Sequence, residues 1–162
     1  MQRRHFLYTL PGLTLAGAPA LFMSPASAHH GWSSFDDAKP IYLTGTVKSL
    51  RWQNPHAEVV ITMPADATLP ADLAGRVPPA QSQNIPGARI LASATLPQRR
   101  GEWTLELSPM SRIEAWKVPE PRLGSTISAV GYTFKDEKGA ALARVEYLII
   151  GQQLFGLRSL PV

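Results

Sequence analysis

The chain has 162 residues, no cysteine and a formal charge of +4, which excludes disulfides, thiolate zinc centres and cysteine-ligated iron–sulfur clusters. Two of its arginines, Arg3 and Arg4, lie in a stretch that reads as a removable leader; without them the balance falls to +2, a weak basis for binding nucleic acid. The remainder of the chain has the length of one domain.

Residues 1–28 carry the three parts of a signal peptide: a basic start at Arg3-Arg4, an apolar middle from Phe6 to Phe22, and the small-x-small ending Ala26-Ser27-Ala28. Pro11, Pro19, Gly12 and Gly17 interrupt the middle, which falls short of the about 20 apolar residues of a membrane span. Arg3-Arg4-His5-Phe6-Leu7 resembles a twin-arginine export signal, with Gln2 and Tyr8 departing from its accessory positions. The expectation is a periplasmic or secreted protein with no membrane attachment after cleavage. Its first partners are then the twin-arginine or general secretion machinery and signal peptidase. A cut after Ala28 leaves residues 29–162, beginning His29-His30-Gly31-Trp32.

The lead-in from His29 to Lys39 is polar, with Trp32 and Phe35 as rings that pin it to the domain. Ile41 to Trp52 mixes Thr, Val, Leu and aromatic residues in partial alternation, a long first strand with Gly45 at a bend or bulge. Asn54-Pro55 ends it, and His56 to Met63 forms a second strand, so the two make a hairpin. From Pro64 to Gly101 six prolines and little periodicity mark an inserted loop, residues 64–101, with a short helix near Leu69–Arg76 and a short strand near Arg89–Thr95. This insert either covers a site or is surface variation.

Glu102 to Leu107 alternates cleanly as a third strand. Ser108 is a helix cap with Pro109 at the first helical position, Met110, Ile113 and Trp116 supply an apolar stripe, and Pro119 and Pro121 close the helix. Ser125–Phe134 and Ala140–Ile150 are strands four and five, joined by the polar turn 135–139; Val145, Tyr147 and Ile149 share one parity of the last. Gln152–Arg158 adds a short edge strand. The fold class is therefore mainly β: an OB-like five-stranded barrel, with one helix between strands 3 and 4 and a Pro-rich insert between strands 2 and 3. A six- or seven-stranded sandwich is the alternative if the insert contributes strands.

His29-His30, Leu43-Thr44-Gly45-Thr46-Val47 and Trp52-Gln53-Asn54-Pro55-His56 together resemble a bacterial exported family of unknown function, DUF6152. The likeness covers His29–Met63 well and Trp103–Leu148 loosely. It implies export and a pairing of His29 and His30 with His56, and it carries no chemistry.

Every histidine of the mature chain lies in these motifs: His29, His30 and His56. A freed His29 offers its α-amine and its ring, and these nitrogens lose their protons near neutral pH at modest cost to an incoming metal. Nitrogen-rich donor sets favour copper, ahead of zinc. The competing reading is a doubled histidine on a loose end, with His56 bonded into the Asn54-Pro55 turn. Met63 and Met110 read as core filling. Trp52 and Asn54 share a parity with His56 and are candidate ligand-binding residues; Tyr132 and Phe134 sit on a later strand where rings could stack on sugars or bases. Asp36-Asp37 and Arg99-Arg100 read as solvated charges.

No nucleophile elbow, zinc-protease helix, phosphate loop or dinucleotide fingerprint is present, so the expectation is a non-enzyme. Two functions compete: an exported binding protein holding copper through His29, His30 and His56, and an accessory module that binds a partner protein or an extracellular polymer through the barrel face and the insert.

Overall fold

The computed structural model describes residues 32–162. The expected leader, its expected cleavage point and both His29 and His30 lie outside the described residues. Five strands build the barrel: β1 (Ile41–Arg51), β2 (Glu58–Met63), β3 (Gly101–Glu106), β4 (Thr126–Tyr132) and β5 (Leu142–Ile150). They are ordered β3-β2-β1-β4-β5, and β5 returns to β3, which closes the sheet. Every neighbouring pair is antiparallel except this closing one: Thr104, Leu105 and Glu106 of β3 lie parallel to Leu142, Ala143 and Arg144 of β5. The short β6 (Gln153–Gly156) folds back on the rest of β5. Helix α2 (Met110–Ala115) sits between β3 and β4, as the element order of an OB-like barrel requires.

Alternation explains the interior. Leu43, Val47, Val59, Ile61, Leu105, Ile127 and Ala129 point inward with Trp103 and Met63, all essentially buried. The apolar stripe of α2 plugs one end of the barrel, with Ile113 buried and Met110 and Trp116 half-buried against the same cluster. Met63 and Met110 are core filling, as expected. Gly45 is a close approach, not the bulge: a Cβ there would lie 2.4 Å from the Thr62 carbonyl oxygen. The β1–β2 register slips between Val47 and Ser49 instead, so the extra residue falls three positions later.

The insert departs most from expectation. Residues 89–95 do not form a strand; Gly87–Ser93 is a helix, α1, and a single bridge from Thr95 to Ile41 comes after it. The expected helix near Leu69–Arg76 shrinks to one 3-10 turn, Leu73–Gly75. Ile90, Leu91 and Ala94 at helical spacing, together with Leu73, cover Tyr42, Val130, Tyr147 and Ile149 on the outside of β1, β4 and β5. That second apolar cluster makes the insert part of the folded body. Spacing could not separate a short helix from a short strand here, because Ile90 and Leu91 are consecutive and both buried.

Leu91, 1% exposed, tests this packing. Leu91→Ala is expected to cost about 2–5 kcal/mol of unfolding free energy, the range for truncating a buried leucine. Urea denaturation followed by tryptophan fluorescence measures it; a loss near zero would mean that the insert is only draped over the sheet.

Candidate functional site

The β1–β2 turn carries His56, the one histidine among the described residues. Asn54–Pro55 is a cis peptide. Beyond it the chain is pinned: the Ala57 amide donates to the Ser108 carbonyl at 3.2 Å, and the Leu107 amide donates to the Ala57 carbonyl at 2.8 Å. His56 is half-buried and faces a small cavity lined by Ser108, Arg112, Arg144 and Leu157. Trp52 is half-buried against the barrel core and Asn54 is exposed in the turn.

Ser108 does not cap α2. It is 3% exposed, and its hydroxyl donates to the Leu157 carbonyl at 2.5 Å. A buried hydroxyl must find a partner, and the returning tail supplies one. Arg112 donates to the same carbonyl at 2.9 Å. Burial pushes the Arg112 guanidinium down from its ordinary value, with the Glu146 carboxylate opposing.

Two buried ion pairs surround this region. Arg144 donates through Nε to Glu106 Oε1 at 3.1 Å, with side chains 12% and 7% exposed. The two residues are register partners across the closing β3–β5 seam. Arg158 donates through Nε to Glu146 Oε2 at 2.6 Å, and Glu146 is fully buried. Alternation along β5 would set Glu146 opposite to Val145 and Tyr147. The β4–β5 register shifts between Val130 and Gly131, so Val145 faces the barrel interior while Tyr147 and Ile149 face the insert. Glu146 sits at the crossover, where it is enclosed. Burial pushes its carboxyl above the usual glutamate range, against the pull of Arg158. Tyr132 is pushed up to about 12 by burial and then by the Glu146 charge, so its phenol stays protonated.

The lead-in reaches the same place. Phe35 bridges to Phe134, their rings stack at 5.1 Å, and the Asp36 amide donates to the Thr133 carbonyl at 2.8 Å. The Arg144 guanidinium carbon lies 4.8 Å from the centre of the Phe35 ring. Phe35 therefore pins the lead-in as expected. Tyr132 is 3% exposed, and Phe134 is half-buried with one face stacked on Phe35. The exposed side chains of β1, β2 and β3 include no aromatic ring; Arg51–Glu58 at 2.6 Å and Lys48–Glu102 occupy that face.

Residues 20–69 match a family of unknown function, DUF6152. The matched stretch includes β1, the Trp52–His56 turn and β2. No curated protein and no solved structure matches the chain. No group of three or more His, Asp or Glu side chains among the described residues could hold a metal, and no helix there is long and apolar enough to cross a membrane.

The charges at 99 and 100 are not simply solvated. The Arg99 guanidinium donates to the Gly139 carbonyl at 3.0 Å and its amide to Glu137 at 3.1 Å, while Arg100 donates to the Pro97 carbonyl, so the end of the insert is tied to the β4–β5 loop. Asp36 contacts Lys39 at 3.5 Å. Sequence reasoning missed Glu106, Arg112, Arg144, Glu146 and Arg158. One cue existed: Glu146 is the single charge in the run Val145–Ile150.

Glu106→Gln leaves Arg144 buried without its counter-charge and is expected to cost about 3 kcal/mol, part of which Arg144→Met in the same protein restores; thermal and urea unfolding of the single and double variants measure both effects. Glu146 gives a pH signature. A carboxyl raised in the fold stabilises below its unfolded value and loses that contribution as pH rises through the folded one. Relative to Glu146→Gln, the wild-type protein is therefore expected to lose stability as pH climbs upward from about 4.3, the free glutamate value. Parallel stability curves for the two proteins would count against the raised value.

Proposed function

We propose that this chain is an exported, periplasmic binding protein that holds a copper ion through the freed His29, through His30, and through His56. One observation carries the reading: the lead-in is anchored at Phe35 against Arg144, and Arg144 also lines the cavity that His56 faces. His30 comes five positions before Phe35, and a link of about five residues spans at most roughly 17 Å, which bounds how far His30 can lie from the Phe35 anchor. An α-amine and three imidazoles form the nitrogen-rich set that copper prefers. The neighbouring guanidiniums are already engaged, Arg144 by Glu106 and Arg112 by the Leu157 carbonyl, which tempers their repulsion of a cation.

Protein processed to begin at His29 is expected to bind about one equivalent of Cu(II), followed by calorimetry and by electron paramagnetic resonance of the nitrogen ligands. Deleting His29 and His30 abolishes binding, and His56→Ala weakens it at least about tenfold, the equivalent of one lost ligand bond of 1.4 kcal/mol or more. Equal affinity in the wild-type and His56→Ala proteins sinks the three-histidine site.

A further inference from the structure

A cleft of about 450 Å³ lies between the lead-in and the insert, away from His56. Its volume falls within the roughly 300–1,000 Å³ of small-molecule sites. Four segments far apart in sequence build it: Asp37 and Pro40 from the lead-in, Arg89 and Ile90 from α1, Tyr132 from β4, and Arg158 from the tail after β6. The insert and the lead-in each carry packing of their own, at Ile90–Leu91 and at Phe35, so both walls are held in place without a ligand.

The polar groups of the cleft differ in how far they are committed. Arg158 is fixed: Glu146 accepts from its Nε at 2.6 Å and lies 2.5 Å from its Nη2, and its guanidinium carbon is 5.7 Å from the centre of the Tyr132 ring. Arg89 is exposed, and among the described residues only its backbone carbonyl is engaged by a side chain, that of Ser93 at 2.8 Å. Asp37, on the lead-in, is exposed and also lines the cleft. With Glu146 cancelling Arg158, the charges left to a ligand are Arg89 and Asp37, which sum to zero. A dianion gains nothing from that balance, and a purely apolar molecule uses neither group. A carboxylate on Arg89 makes a charge-assisted bond, a nearby hydroxyl or ammonium can donate to Asp37, and Pro40 and Ile90, both largely buried, complete the lining with apolar surface.

We infer that this cleft binds a small aliphatic carboxylic acid carrying a hydroxyl or ammonium group near its carboxylate, read by Arg89 and Asp37. The site is independent of copper and of His56.

The test uses metal-free processed protein, with amide shifts in NMR titrations reporting on Ile90, Tyr132 and Arg158. The probes are 2-hydroxyhexanoate, 2-aminohexanoate, hexanoate and 1-hexanol. One or both of the first two are expected to bind more tightly than hexanoate, and hexanol not to bind; which of the two leads tells hydroxyl from ammonium. Arg89→Gln is expected to weaken the acids about tenfold, the size of one lost charge-assisted bond. Asp37→Asn should narrow the gap between the donor-bearing acids and hexanoate, and Arg122→Gln, exposed elsewhere, should change nothing. No saturable shift with any acid at millimolar concentration overturns the inference, as does unchanged affinity in Arg89→Gln.

Discussion

The parallel contact of β3 with β5 is the constraint on which the rest of this structure depends. Without it the five strands are an open sheet with two exposed edges; with it they enclose one apolar interior. Glu106 and Arg144 face each other across that seam, nearly out of water, and their attraction is worth most where water is scarce. Arg144 also carries the Phe35 ring on its guanidinium and borders the cavity of His56. One side chain thus links barrel closure, the course of the lead-in and the turn that bears the histidine.

A second constraint comes from the irregularity in β5. A regular strand would place its residues alternately in and out along its whole length. The shifted register exchanges the two faces midway, so that Val145 joins the barrel interior while Tyr147 and Ile149 face outward and need a cover. The insert is that cover. Its proline content, which marks it as irregular, does not make it marginal to the fold, since Leu73, Ile90 and Leu91 bury against the outward rings and aliphatic chains.

The polar centre is organised by the same two features. Glu146 is enclosed because it sits at the exchange of faces, and it draws Arg158 from the tail and the neighbouring Arg112 field toward it. The exposed face of β1 to β3, where barrels of this shape commonly take polymers through stacking rings, offers paired charges and no exposed ring. The histidine turn and the cleft between the insert and the lead-in lie outside that face.

The number and succession of the barrel strands, the helix between β3 and β4, and the hairpin around Asn54-Pro55-His56 were legible in the sequence because alternation, Pro breaks and a three-spaced stripe are local signals. The likeness at Trp52–His56 to a family of unknown function was legible for the same reason. Residues 89–95 read as strand because a short apolar run has no period of its own, and the choice fell to the sheet face it covers. Ser108 offered a helix cap by position, yet went to Leu157, a partner 49 residues away. The pairs Glu106–Arg144 and Glu146–Arg158 could not be read at all, since a charge in a strand looks solvated until closure and a register slip decide which way it faces. Local patterning determined what the elements are; the tertiary structure alone decided which charges lost their water, because burial belongs to the assembled barrel and to no single stretch of the chain.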